Sequence, residues 1–88
     1  HLKVGVYHNL GNAWWGKRDA EQAIQSYERA IKLSREHLPS YLALADIYLQ
    51  QDQPAHAARY LNEALKLDSM TKQKQREIHN VMQRFQLE

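Results

Sequence analysis

Hydrophobic and polar residues alternate along this chain with the period of α-helices, and the pattern predicts five helices joined by short polar turns. In the first, from about residue 4 to residue 17, the apolar positions follow one helix face: Val4, Tyr7, Leu10, Gly11 and Trp14. The second begins after Asp19, whose carboxylate can bind a free backbone amide, and Gln22 can complete a capping box. Together these two helices predict a helical hairpin.

Proline and polar residues mark the limits of the other three helices. Pro39 and Pro54 each suit the first turn of a helix, where a missing amide hydrogen costs nothing. They predict a third helix that ends near Gln51 and a fourth that continues to about Leu67. The fifth is predicted over about residues 71–86, with Asp68 or Ser69 as its cap.

The two hairpins are copies of each other at one constant spacing, with no gap between the copies. The shift that places Tyr7 on Tyr41 also places Leu10 on Leu44, Ala23 on Ala57, Ala30 on Ala64, Lys32 on Lys66 and Leu33 on Leu67. A fixed period of about 34 residues is typical of stacked helical hairpins, because one hairpin alone cannot bury its apolar face. The predicted fold is therefore an all-α solenoid of antiparallel helical hairpins.

A single domain over residues 1–88 is predicted, with repeat 1 at about 4–37 and repeat 2 at about 38–71. The chain lacks an initiator Met and starts inside a helix, so we expect it to be part of a longer protein. The sequence leaves its compartment open.

The last helix, at about residues 71–86, is apolar on one stripe and polar elsewhere, as the end of a solenoid requires. The stripe consists of Ile78, Val81, Met82 and Phe85. We interpret this helix as a C-terminal cap. The alternative is the first half of a third repeat, which is disfavoured because His79 stands where the two repeats have Gly11 and Ala45.

Composition and charge exclude several classes of protein. There is no Cys, which removes disulfides, thiolate metal sites and a cysteine nucleophile. The net charge of +2 is far from the dense basic stripe of nucleic-acid-binding proteins, so no nucleic acid partner is expected. No apolar run approaches the roughly 18 residues of a membrane span, so no membrane insertion is expected.

The positions shared by the two copies resemble the tetratricopeptide repeat, whose pattern places Trp, Leu, Gly, Tyr, Ala, Phe, Ala and Pro at set points of each repeat. The first copy carries it at Leu10, Gly11, Trp14, Ala23, Tyr27 and Ala30. The second carries it at Tyr41, Leu44, Ala45, Tyr48, Ala57, Leu61 and Ala64. The resemblance covers nearly the whole chain and implies a right-handed superhelical stack, in which Gly11 would face Ala23 and allow close helix packing.

Two departures from this pattern alter the expected turns. The family usually has Pro after each repeat, where this chain has Arg35 and Ser69. It favours Gly inside each repeat, where this chain has Arg18 and Asp52. Because Arg tolerates a left-handed backbone poorly, we expect the first turn to bend differently, through Gly16.

The resemblance implies a non-enzymatic adaptor whose first helices line a concave groove for an extended peptide or a partner's helix. Mapped onto this chain, the groove would be lined by His8, Asn12, Trp15, Leu42, Asp46, Leu49, Gln73, Arg76 and Asn80. Amides such as Asn12 can bond a peptide backbone, Arg76 can hold a carboxylate, and Trp15 offers apolar surface. The alternative is that Trp15 simply covers the turn and that Asn12 is solvated surface.

One branch of the family binds the acidic carboxyl-terminal tails of heat-shock chaperones with Lys, Asn and Arg side chains. Asn12 fits that set, but His8 stands where a Lys is expected, Ala43 where an Asn is expected and Glu77 where an Arg is expected. A negative charge and a missing amide would not hold a terminal carboxylate. The sequence therefore argues against a chaperone tail as the partner.

A second function is self-association, giving a homo-oligomer. The first helix has no preceding repeat to cover Val6, Leu10 and Ala13, and two repeats fall short of the three or more that a stable stack usually needs. That edge could pair with another copy and bury apolar surface.

Other site chemistries are not supported, and no cofactor or metal is expected. The histidines never recur at helical ligand spacing, so we interpret them as surface residues: His1, His8, His37, His56 and His79. The chain has no Gly-rich phosphate loop, no Gly-flanked Ser nucleophile and no paired carboxylates in an apolar setting, so an enzyme is not expected.

Overall fold

The computed structural model describes residues 2–87, apart from the side chain of Leu2, so His1 and Glu88 lie outside the described residues. The described chain consists of α1 (Leu2–Gly16), α2 (Ala20–Leu33), α3 (Leu38–Gln50), α4 (Pro54–Leu65) and α5 (Lys72–Arg84). Helices α1 and α2 pack as one hairpin, α3 and α4 pack as a second, and α2 contacts α3. The predicted all-α solenoid of antiparallel hairpins is confirmed.

The start of α2 follows the sequence prediction in part. Asp19 Oδ1 accepts a hydrogen bond from the Gln22 amide at 3.1 Å, so Asp19 is the predicted cap. The reciprocal half of the capping box is replaced, because the Asp19 amide donates to the Trp14 carbonyl at 3.0 Å. The end of α1 and the start of α2 are thus joined through one residue.

The first turn does not bend through Gly16, and the prediction that Arg18 would avoid a left-handed backbone is wrong. Arg18 has φ 61° and Asp52 has φ 58°, and Gln86 has φ 57° after α5. Each of these three residues donates its amide to the carbonyl three positions back, and the next residue donates to the carbonyl five back. This pair of bonds closes the helix end and offsets the cost of the left-handed residue.

The cap of α5 is also different from the predicted one. Thr71 Oγ1 accepts from the Lys74 amide at 3.1 Å. The amides of Asp68 and Ser69 are instead bound by the Glu36 carboxylate, which reaches from the loop between α2 and α3. Helix α4 ends at Leu65, before the predicted Leu67.

A core of small and large apolar residues joins the hairpins. Ala23, Ala57 and Ala64 are fully buried, as expected of residues that let helices approach closely. The predicted partner of Gly11 was Ala23, but the nearest atoms belong to Tyr27: a Cβ on Gly11 would lie 2.7 Å from the Tyr27 ring. Gly11 therefore makes room for an aromatic ring.

Helix α5 joins this core through Ile78 and Met82, which are buried, whereas Phe85 is 47% exposed. It ends in the same left-handed turn as α1 and α3, at the equivalent position of the repeat. Its role as a cap stays a prediction.

Candidate binding groove

A cleft of about 400 Å³ opens between α3 and α5, with α4 beneath it. Its lining consists of Leu42, Ala45, Asp46, Leu49, Gln50, Leu61, Lys74, Glu77, Ile78, Val81, Arg84 and Phe85. Most of its surface is apolar, and charged side chains from α3 and α5 stand among the lining residues. The cleft is therefore suited to an apolar side chain that enters between two charged edges.

Three of the predicted groove residues, Leu42, Asp46 and Leu49, line this cleft from α3. Their spacing of three and four positions places them on one face of the helix. Leu42 and Leu49 are half-buried, and Asp46 is exposed. The face of α3 that was predicted from the sequence is thus the face that borders the cleft.

Gln73, Arg76 and Asn80 are exposed on α5 but do not line the cleft. The wall on that side is formed by a neighbouring stripe that the sequence analysis missed as a site, which comprises Lys74, Glu77, Ile78, Val81, Arg84 and Phe85. Its spacing of three and four positions beside the buried Met82 is the sequence pattern by which it could have been found.

The predicted residues of α1 lie away from the cleft, and each is engaged within the first hairpin or its junction with α3. The carboxamide oxygen of Asn12 accepts a hydrogen bond from the Tyr27 hydroxyl. Burial raises the pKa of Tyr27, and the carboxylate of Asp46 raises it further. Trp15 is half-buried, and the Arg18 guanidinium lies 4.7 Å from its ring centroid. Trp15 thus lies against Arg18 of the turn, and its contact with a ligand stays a prediction.

His8 belongs to a polar cluster at the junction of α1 and α3. Its Nδ1 lies 2.9 Å from the Ser40 hydroxyl, and the Nδ1 of His37 lies 2.8 Å from the same oxygen. Ser40 is fully buried and the two histidines are half-buried, so the interpretation of His8 and His37 as surface residues is wrong. Burial lowers the pKa of both imidazoles, and the neighbouring charge of His37 lowers the pKa of His8 further.

Some charged side chains of the cleft have a hydrogen-bond or ion-pair partner within the described part of the chain, and one has none there. Asp46 accepts a hydrogen bond from Gln50 at 2.9 Å, and Lys74 forms a 3.4 Å ion pair with Glu77. The side chain of Arg84 forms no hydrogen bond or ion pair with any other residue in the range 2–87. A free cation therefore stands at the end of the cleft.

Within the described range, no group of three or more histidine or carboxylate side chains is arranged to hold a metal ion. The same part of the chain contains no helix with the length and hydropathy needed to cross a membrane.

Two equivalent helical hairpins, a fifth helix and a cleft between α3 and α5 define a helical-repeat scaffold. The sequence model of the tetratricopeptide repeat matches residues 15–84. The chain therefore belongs to the tetratricopeptide repeat family, a family of non-enzymatic repeat scaffolds that generally mediate protein–protein interactions.

A curated relative supports the same assignment. The tetratricopeptide repeat-containing protein trd-1 of Caenorhabditis elegans is 28% identical to this chain over 65 residues. The match covers 74% of this chain and 8% of that protein, so the chain spans a small part of the relative's length.

Proposed function

We propose that this chain is a non-enzymatic binding module that holds a peptide or a partner's helix in the concave groove formed by its first helices. The observation that carries the proposal is the apolar cleft of about 400 Å³ between α3 and α5. Family membership supports a protein as the partner. The volume lies within the range of about 300–1,000 Å³ that is usual for pockets that bind small ligands.

The groove has two regions with different chemistry. Around α1, polar groups such as Asn12 and the Tyr27 hydroxyl are bonded to each other, so a ligand there would have to compete with an existing hydrogen bond. Between α3 and α5, Leu42, Leu49 and Val81 remain half-buried and present apolar surface. Burial of that surface on binding contributes about 25 cal/mol per Å² before the costs of association, so this region would supply most of the affinity.

A selection from random dodecapeptides displayed on phage tests whether and where the chain binds peptides. An enriched peptide is synthesised, and its dissociation constant is measured by fluorescence anisotropy. Leu49→Gln, which places a polar group in the cleft, should weaken binding about tenfold or more. Asn62→Gln, an exposed change on α4 outside the cleft, should leave the affinity unchanged.

Circular dichroism of both variants checks that the helices remain. Equal affinity of the folded Leu49→Gln variant and the parent chain would contradict the groove as the binding site. Failure of the library to yield any binding peptide would contradict peptide binding itself.

Self-association is a second candidate, favoured by the exposed apolar edge of α1. Val6 is 61% exposed and Leu10 is 43% exposed, and Ala13 is also exposed on the same helix. Large apolar side chains that stand close together on a surface are a feature of interfaces between protein copies. A second copy could cover this edge.

Light scattering over a range of concentrations tests this candidate. A dimer that becomes a folded monomer in Val6→Glu or Leu10→Lys would support assembly through the edge. A monomer at every concentration would contradict it.

A further inference from the structure

We propose that His8, Ser40 and His37 form an acid-sensitive latch between the two hairpins, in which the bonds to Ser40 survive one added proton and break when both imidazoles are charged. His8 lies on α1 of the first hairpin, and the other two residues lie at the start of α3 in the second. The inference is independent of any ligand in the groove. It is carried by the geometry of this cluster.

The hydroxyl of Ser40 is shared by two imidazole nitrogens. The Nδ1 of His8 lies 2.9 Å from this oxygen and the Nδ1 of His37 lies 2.8 Å from it, and Ser40 is fully buried. A serine hydroxyl donates one hydrogen and accepts others through its lone pairs. Both bonds therefore form only if one imidazole donates through its Nδ1 and the other accepts the hydroxyl hydrogen. The neutral cluster is then a chain of two hydrogen bonds between α1 and α3.

One proton can be added without the loss of either bond. The imidazole that donates through Nδ1 has its free lone pair on Nε2. Neither Nε2 atom of the pair is bonded to a residue in the range 2–87, and no buried side-chain nitrogen of that range lacks a partner, so solvent reaches both Nε2 atoms. A proton on the Nε2 of the donating imidazole leaves both bonds to Ser40 in place.

The second proton breaks the chain of bonds. It must go to the Nδ1 of the accepting imidazole, so both rings would then donate to Ser40 and the buried hydroxyl hydrogen would lose its acceptor. The ring centroids of His8 and His37 are 5.0 Å apart, so two imidazolium charges would repel each other. His37 also precedes the first turn of α3, which contains no acidic residue, and the positive end of the helix opposes a cation there.

Helix α2 contributes a neutral aromatic ring to the surroundings of the latch. The rings of Tyr27 and His8 have centroids 5.2 Å apart, and the Tyr27 hydroxyl donates to Asn12. Burial raises the pKa of Tyr27, and the carboxylate of Asp46 on α3 raises it further, so the phenol does not lose its proton near neutral pH. It therefore supplies no negative charge that would stabilise an imidazolium.

Carboxylates do not compensate the latch either. Within residues 2–87, neither imidazole forms an ion pair with a carboxylate. The charged residues that precede the two histidines on α1 and in the loop before α3 are Lys3, Arg35 and Glu36, and all three are exposed. The Glu36 carboxylate is already bonded to the amides of Asp68 and Ser69.

The resulting pKa shifts have the direction that the latch requires. Burial lowers the pKa of both imidazoles. The charge of His37 lowers the pKa of His8 further, and the positive amino terminus lowers the pKa of His37 further. The unfolded chain therefore takes up protons at a higher pH than the latch does, so the latch loses stability as the pH falls through about 6.5.

The next junction of first helices does not contain these groups. One repeat period further on, the positions of His8, His37 and Ser40 are occupied by Leu42, Thr71 and Lys74. None of them is a histidine, the side chain whose unperturbed charge changes between about pH 5 and 8. The acid response is therefore expected where α1 meets α3.

Thermal unfolding at about pH 7.5 and about pH 5.5 tests the latch in the parent chain, His8→Gln, His37→Gln and the double variant. All carry an acetylated amino terminus, so that its own titration does not contribute. The Gln amide can still bond to the Ser40 hydroxyl. The Tm of the parent should fall by about 4–8 °C at the lower pH, as expected for the loss of one buried hydrogen bond in a domain of this size.

Each single substitution should remove most of this fall in Tm, because one remaining imidazole can be protonated while Ser40 keeps its bonds. The effects of the two single substitutions should therefore sum to more than the effect of the double variant. His56→Gln, the same change at an exposed histidine of α4, should retain the full fall in Tm.

NMR of the parent chain with 15N-labelled histidine measures the latch directly, and it does not depend on the folding of any variant. At neutral pH, the ring nitrogen shifts should show one Nδ1–H and one Nε2–H imidazole at His8 and His37. On acidification, the pair should take up its two protons in separate steps, and the Ser40 amide should shift with the second step.

Equal and additive losses of pH dependence in the two single variants would overturn the coupled latch and leave two independently buried histidines. Two Nε2–H imidazoles would overturn the shared hydroxyl, because only one of them could then bond to Ser40. An unchanged Tm of the parent chain at the lower pH, or loss of the pH response in His56→Gln, would overturn the acid sensitivity of this cluster.

Discussion

Gly11→Ala tests how the first hairpin is packed. A Cβ at this position would lie 2.7 Å from two atoms of the Tyr27 ring and 2.9 Å from a third, and Tyr27 is 2% exposed, so the ring has little space to move. Overpacking of this kind costs about 1–3 kcal/mol. Alanine is better than glycine inside a helix by about 0.8–1 kcal/mol, so the net loss of unfolding free energy should reach at most about 2 kcal/mol.

The second hairpin supplies the control. The residues that correspond to Gly11 and Tyr27 are Ala45 and Leu61, both buried. In a Tyr27→Leu background the ring is gone, so Gly11→Ala should stabilise the fold by roughly the helix-propensity difference of about 0.8–1 kcal/mol. The same substitution is thus expected to change sign between the two backgrounds, with an interaction energy of about 1–3 kcal/mol.

Urea denaturation followed by circular dichroism measures all four proteins of this cycle. For a domain of this size, each kcal/mol corresponds to a shift of about 4–8 °C in Tm, so thermal melts provide a second measure. An equal effect of Gly11→Ala in both backgrounds, within about 0.5 kcal/mol, would refute the close contact of Gly11 with Tyr27 and the equivalence of the two pairs.

Three other predictions concern the stability of the fold. The free energy of unfolding should fall as the pH is lowered from about 7.5 to about 5.5. Burial holds the pKa of His8 and His37 below 6.5 in the folded chain, so the unfolded chain binds more protons in this pH range. Urea titrations at the two pH values measure this dependence, much of which His8→Gln should lose. Asp52→Gly should raise Tm by a few degrees, since φ 58° costs a non-glycine residue about 1–2 kcal/mol, part of which glycine loses again in entropy. Thr71→Ala should lower the unfolding free energy by about 1 kcal/mol and speed hydrogen exchange at the Lys74 amide, whereas Thr71→Asp should keep the cap.

The constant period of the two hairpins was enough to predict the fold. It depends on residues such as Ala23 and Ala57, which must be small in both hairpins, and both are fully buried. The predicted ends of the helices were less accurate than the fold, because the position of a helix cap depends on which backbone amides are already bound by other residues. The Glu36 carboxylate occupies the amides of Asp68 and Ser69, a contact between segments far apart in the chain that local sequence does not reveal.

The prediction for the first turn was wrong for a related reason, since the backbone conformation of Arg18 also depends on bonds that local residue preference does not include. Arg18 carries a local cost at φ 61°, but its amide and that of Asp19 both bond to the end of α1. Side-chain contacts also favour the turn, since Arg18 lies over Trp15 and reaches Gln50 at 3.5 Å. Residue preference alone does not include these contributions.

The candidate site was predicted on α3 and missed on α5. The repeat pattern gave the face of Leu42, Asp46 and Leu49, which borders the cleft. The face of α5 that meets the cleft depends on how α5 rotates against α4, and this is set by the burial of Ile78 and Met82. Ser40 was not recognised, because a buried serine between two histidines looks in the sequence like any polar residue near a helix start.

Chemical-shift mapping of the 15N-labelled chain with an enriched synthetic peptide tests the central claim most directly. Binding in the groove predicts that the largest amide shifts occur along the cleft, at Leu42, Leu49, Val81 and Arg84, while α4 residues outside the cleft such as Asn62 stay unchanged. Shifts concentrated at Val6, Leu10 and Ala13, or spread over the outer surface of α4, would contradict the α3–α5 cleft as the binding site.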